Sequence, residues 1–186
     1  MKRLFIATPV ITLSAEIQKI SADLRFRLRH DDIVWVKDEV RHLTLRFLGA
    51  TPPQRVPDIR KALTEACAEC QPFSLTINKI GIFGSHYHPE VLWLGFDHFE
   101  PFRQLFEQLE PKLQACGCEP NYGNFVPHIT LGRIKRLHDK KKFWEAIETA
   151  QQTPFSQPLE IRSLNLYQSF LHKDGPEYKT LLTVPL

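Results

Sequence analysis

No run of apolar residues in these 186 positions approaches the roughly 20 that a membrane span needs. The nearest is "LFIATPVITL", residues 4–13, which follows Lys2 and Arg3 and has the outline of a short signal peptide. Pro9 interrupts it, no A-x-A cleavage site follows and an amphipathic segment starts at once, so it reads as a first buried strand and the chain as cytosolic. Cysteine is scarce. The four residues fall as "CAEC" (Cys67, Cys70) and "CGC" (Cys116, Cys118), each at the end of a helical run rather than on a zinc-ribbon knuckle. They read as reduced thiols in or near helix packing, and without a secretory signal no disulfide is expected. Glycine is also scarce, with 8 residues, and no Gly/Ser-rich hinge or low-complexity tract divides the chain. A strong charge of one sign is lacking too. A net charge of +3 and a pI near 8.7 permit an anionic ligand but fall far short of a histone-like footprint.

What is present is an ordinary globular composition, 42% hydrophobic and 24% charged, on a chain long enough to bury a sizeable core as one domain, 1–186. Helical periodicity marks residues 14–30, 53–69, 99–116 and 140–151, the first opening at Ser14 as N-cap with Glu16 in its first turn. Pro57 and Pro111 fall inside the second and third runs, where a kink or a shifted boundary is expected. Strand patterns mark 3–9, 42–49, 73–82, 91–97, 128–134, 159–170 and 178–184. Helices mixed with adjacent strand pairs point to an α+β fold with largely antiparallel sheet.

One short sentence occurs twice. "RHLTLRFLG" (41–49) puts Leu43, Leu45 and Phe47 on one face of a strand and His42, Thr44 and Arg46 on the other. "PHITLGR" (127–133) repeats it with His128 and Thr130. A single H-x-T is worthless as a signal, but two H-x-T-L-like copies arise by chance on the order of once in a thousand such compositions. Two such strands facing each other supply two imidazoles, able to serve as base and acid near neutral pH, and two hydroxyls that donate to anionic oxygens. That set suits in-line cleavage of a phosphodiester.

These two signatures resemble the paired H-x-T-x motifs of the two-histidine (2H) phosphoesterases, and of their branch of RNA 2′,3′-cyclic phosphodiesterases, also called 2′-5′ RNA ligases. "RLFIATP", "IGIFGSHYHPEVLWLGF" and "LNLYQSFLHKDGPEYKTLLTVPL" extend the resemblance over nearly the whole chain. It implies a bilobal, pseudo-symmetric fold with both motifs lining a central cleft, and no metal or organic cofactor. It implies hydrolysis of RNA 2′,3′-cyclic phosphate ends, tRNA halves among them, by a monomer. His128 would be the proton acceptor, His42 the proton donor, and Thr44 and Thr130 the ligands of the phosphate oxygens. Arg133 is expected to clamp phosphate, although strict alternation from His128 aims it the other way unless a bulge or Gly132 turns it. Arg46 is a further phosphate-binding candidate. The same site fits 2′-5′ ligation or 2′,5′-linked oligonucleotides. Readings from other classes are an RNA-binding module without turnover and a zinc-stabilised interaction domain.

The basic run "RIKRLHDKKK" (133–142) is balanced between an RNA-backbone patch and a solvated helix start. Arg25, Arg27 and Arg29 read as solubility. Tyr122 and Phe125 are more at home in loop packing than on a base, and His86 and His88 fall at a hairpin tip.

Overall fold

The computed structural model describes residues 1–172 and 175–186. In chain order it has β1 (Lys2–Pro9), α1 (Ala15–Arg27), β2 (Asp32–Trp35), β3 (His42–Thr51), α2 (Val56–Ala68), β4 (Phe73–Ile77), β5 (Lys79–Gly84) and β6 (Pro89–Gly95). These are followed by α3 (Glu100–Ala115), β7 (Ile129–Arg136), α4 (Lys140–Gln152), β8 (Gln157–Ile161), β9 (Ser163–His172) and β10 (Gly175–Pro185). No helix among the described residues is long and apolar enough to cross a membrane.

The helices form where the periodicity places them. Ser14 caps α1 by accepting from the backbone N–H of Ile17, and Ile17, Ile20 and Leu24 face inward at i, i+3 and i+7. Asp139 caps α4, which buries Phe143, Ala146, Ile147 and Ala150. Pro57 sits in the first turn of α2, where the missing N–H costs nothing, and Pro111 is accommodated inside α3 without ending it. β2 has no counterpart in the sequence reading, because four residues are too few for a periodic signal. Two runs read as single strands, 73–82 and 159–170, each break in two: β4 and β8 pair with each other as a separate ribbon, while β5 and β9 continue into the main sheet.

That main sheet is antiparallel, in the order β10-β9-β1-β3-β7-β6-β5, with β2 pairing β7. Its two halves, β10-β9-β1-β3 and β7-β6-β5 with β2, meet among the described residues at a single pair, Leu43 opposite Ile129. Both side chains are fully buried. Helices cover the outside: α2 packs on α3, β9 and β10, and α4 packs on α1 and β5. The result is the expected α+β arrangement of two antiparallel lobes facing a cleft.

Close approach in the second lobe depends on a glycine. A Cβ at Gly81 would lie 2.1 Å from the indole of Trp93, which crosses the strand there and packs on Phe83 at 5.0 Å. Gly81→Ala is therefore expected to displace Trp93 and destabilise the protein by about 1–3 kcal/mol, the cost of overpacking, read as a lower urea midpoint with unchanged m.

Candidate active site

The lone Leu43–Ile129 bridge orients everything polar in the cleft. Extending its antiparallel register by one residue each way sets His42 across from Thr130 and Thr44 across from His128. The two imidazoles then lie diagonally, with backbone positions roughly 7–8 Å apart. A compartment of about 360 Å³ contains His42 and Thr130, and a smaller one of about 160 Å³ contains Thr44 and His128, in keeping with that register.

Each imidazole is held in the same way. His42 Nδ1 lies 2.8 Å from the Val40 carbonyl and His128 Nδ1 lies 2.9 Å from the Val126 carbonyl, two residues back in both cases. A carbonyl only accepts, so Nδ1 carries the hydrogen and Nε2 is left to meet a ligand. Aromatic rings fix the other faces. Phe5 lies 5.0 Å from His42 and Tyr178 stands edge-on to it at 5.2 Å, while Phe83 stands edge-on to His128 at 4.6 Å. Burial pushes both imidazoles below their usual pKa, and the Arg133 charge adds to this. His128 further depresses His42, against the opposing pull of the two carbonyl bonds. In the free protein both rings therefore favour the neutral form more than an exposed histidine does.

A bulge follows each H-x-T. The register of β1 on β3 slips between Ile6 and Ala7, leaving Leu45 without a partner, and that of β6 on β7 slips between Leu92 and Trp93, leaving Leu131 without one. The bulged residue reverses the alternation. Arg133 thereby turns to the cleft side and lines the large compartment, which resolves the difficulty that strict alternation raised.

The same reversal corrects the expectation for Phe47 and sets the surroundings of Arg46. Phe47, expected to face inward, is 52% exposed and lines the cleft. Arg46 is buried, and its guanidinium is engaged by Glu110 of α3, with Nε–Oε2 at 2.7 Å and Nη2–Oε1 at 3.2 Å, and by the carbonyls of Phe47 and Glu119. Burial pushes the Glu110 carboxyl up, but bonds from Arg46 and the Asn121 N–H outweigh it and hold Glu110 below the usual carboxylate range. Arg46 is thus a strut that ties the start of the loop before His128 to α3, and it also lines the smaller compartment with Thr44 and His128. Phe125 pins the other end of that loop by stacking on Phe106 at 4.5 Å, whereas Tyr122 is exposed.

A sequence profile of the 2′-5′ RNA ligase superfamily matches residues 9–170. This chain belongs to the 2′-5′ RNA ligase superfamily, the 2H phosphoesterases. It is 33% identical over 183 residues to the RNA 2′,3′-cyclic phosphodiesterase of Thermotoga maritima, covering 96% of this chain and 92% of that protein. It is 27% identical to the RNA 2′,3′-cyclic phosphodiesterase of Methanocaldococcus jannaschii, over 96% of this chain and 98% of that one. Among solved structures, Escherichia coli LigT complexed with 3′-AMP superposes with a TM-score of 0.69 at 25% identity, covering 100% of this chain and 98% of that one. TT0787 of Thermus thermophilus shares the fold, with a TM-score of 0.76 at 24% identity over 99% and 97% of the two chains.

Within this superfamily member, the large compartment has walls that the sequence reading did not find. β2 and the turn after it contribute Val34, Trp35, Val36, Lys37 and Val40, and the β9–β10 hairpin contributes His172, Glu177 and Tyr178. Trp35 sits there because Gly132 faces it across the β2–β7 pair, where a Cβ would meet Ile33 Cγ2 at 2.8 Å and the indole at 3.2 Å. Arg25, read as a solubility residue, lies 4.9 Å over the Trp35 ring and donates to the Val36 carbonyl. Of the four thiols, Cys67 is buried on α2 and pushed up to about 12 by burial, and Cys70 and Cys116 make contacts to α3. No cluster of three or more metal-binding side chains occurs among the described residues.

The strut makes a direct prediction. Arg46→Met alone leaves the half-buried Glu110 without its charge partner, though still bonded by the Asn121 N–H, and is expected to cost about 2–4 kcal/mol, while Arg46→Met with Glu110→Leu costs less than the single change. Urea unfolding of the two singles and the double measures this coupling.

Proposed function

We propose that this protein hydrolyses the 2′,3′-cyclic phosphate at RNA ends to a 2′-phosphomonoester, through acid–base catalysis by His42 and His128. The observation that carries this reading is the diagonal pair of identically tethered imidazoles, each with a threonine across from it and Arg133 alongside. In this reading water is the attacking group.

The unequal compartments support a division of labour. A nucleoside needs the larger one, about 360 Å³ and walled by Trp35 and Tyr178, and this lies on the His42 side. The 3′ oxygen, which belongs to that nucleoside, then departs toward His42, and water approaches from the His128 side. His128 Nε2 takes a proton from water as its oxygen bonds to phosphorus. The P–O3′ bond breaks, and protonated His42 gives its Nε2 proton to O3′. Thr44, Thr130 and Arg133 donate to the non-bridging oxygens, where charge accumulates. The histidines end with exchanged protonation states, and solvent resets them. The His128-side compartment also admits a ribose 5′-hydroxyl in place of water, and the same proton transfers then form a 2′–5′ linkage.

The direct test is a short RNA ending in a 2′,3′-cyclic phosphate, incubated in EDTA and followed by phosphorus NMR. A 2′-phosphate is the expected product, and His42→Ala and His128→Ala are each expected to lower kcat by roughly 10²- to 10⁴-fold with the fold intact by circular dichroism. A 3′-phosphate product, or two active variants, would overturn the reading.

The pH dependence follows from the direction of the two shifts. Both imidazoles titrate below 6.5 in the free protein, and catalysis needs one neutral and one protonated. The bell of kcat/KM, which reports the free enzyme, is therefore expected to centre below pH 6.5. The bell of kcat should lie to its alkaline side, because bound phosphate favours the protonated ring.

A further inference from the structure

The β5–β6 hairpin, whose Phe83 packs on His128, turns over two residues further on at Ser85–His88, and this tip is held unusually firmly. Trp144 of α4 stacks on His86 at 4.7 Å and donates its indole N–H to the His86 carbonyl at 3.2 Å. Lys140 Nζ donates to the Tyr87 carbonyl at 2.7 Å. All this restraint holds an aromatic ring out into solvent, since Tyr87 is 80% exposed. An exposed tyrosine on a pinned backbone has little packing role, yet little entropy to lose on meeting a flat partner.

The surroundings indicate what that partner is. Arg133 lines the cleft, Ile134 turns inward and Lys135 is exposed again, so Lys135 continues the Arg133 face about 7 Å further along β7. Beyond it come Arg136 and the start of α4 with Lys140, Lys141 and Lys142, all exposed. Three of the nearby carboxylates have partners, Glu90 with His88 at 3.4 Å, Asp139 with Lys142 at 3.5 Å and Glu145 with Lys141 at 3.9 Å, while Asp32 faces Arg136 across the β2–β7 pair.

We propose that Lys135, Lys140 and Tyr87 form an accessory RNA-binding surface that takes the single-stranded nucleotides preceding the reacting end. Phosphates follow the track from Arg133 to Lys135 and Lys140, and one base stacks on Tyr87. A basic groove with an exposed aromatic is the general means of holding a single strand without reading its sequence. The surface makes the protein select polymer over mononucleotide, by a contact outside the reacting site. This rests on the cyclic phosphodiesterase reading above.

The test compares a dinucleotide and a ten-nucleotide RNA, both ending in a 2′,3′-cyclic phosphate. Tyr87→Ala is expected to raise KM for the longer RNA about tenfold while leaving the dinucleotide constants unchanged. Lys135→Gln with Lys140→Gln should weaken the longer RNA and make its log KM depend less on log salt, by about 0.7 for each lysine removed. Equal effects on both substrates, or none on either, would overturn the proposal. If the wild-type protein turns over neither RNA, the phosphodiesterase reading itself fails. Fluorescence anisotropy with the same ten-nucleotide RNA carrying a 2′-phosphate end then judges the surface alone, through loss or retention of affinity in the same variants.

Discussion

One antiparallel residue pair sets the geometry of this molecule. Among the described residues, Leu43 and Ile129 are the one point at which the two halves of the main sheet pair, and both are fully buried. Side chains alternate with a period of two, so placing these residues inward obliges His42, Thr44, His128 and Thr130 to face the cleft. A slip of one residue would bury four polar groups and expose two branched apolar ones, so the register is held by the hydrophobic effect rather than by the groups it positions. The bulges at Leu45 and Leu131 end the arrangement at once. The motif is three residues long because that is the length over which the shared face survives.

On this symmetric frame the differences are arranged crosswise. Eighty-six positions separate the two copies, which makes Arg46 the counterpart of Gly132 and Phe47 the counterpart of Arg133. Arg46, in the first copy, reaches Glu110 and Glu119 and so secures the loop that delivers His128. Gly132, in the second copy, makes room for Trp35 and so builds the compartment beside His42. Each copy's divergent residue serves the other copy's histidine. An exchange of residues at 46 and 132 would remove both supports.

The sequence carries the parts of this that depend on local pattern. Four helices and the main strands follow from periodicity, the cap of the first from Ser14, and the paired His and Thr residues from repetition. Bulges do not. Their location is decided by the partner strand, so alternation alone assigns Phe47 to the core, where it is in fact exposed, and gives no sign that Arg46 is buried against Glu110. Gly132 is the one local sign of a turn at Arg133, and it has a second use in seating Trp35. The walls at Trp35 and Tyr178 leave no trace in the sequence, because a four-residue strand and a distant hairpin reach the site only through tertiary contact.

The depressed imidazoles bear on why histidine suits this cleft. Burial and a nearby guanidinium together disfavour a positive charge on either ring, so both lean further toward the neutral form than an exposed histidine does. A phosphate anion between them reverses that balance, since its charge stabilises the protonated form of whichever ring it meets. Binding and proton uptake are then linked, and by reciprocity the proton strengthens binding as much as the anion strengthens protonation. A pair of lysines would stay charged without a ligand, and a pair of carboxylates would repel one. In the proposed reaction the substrate thus favours the acid that its own cleavage requires.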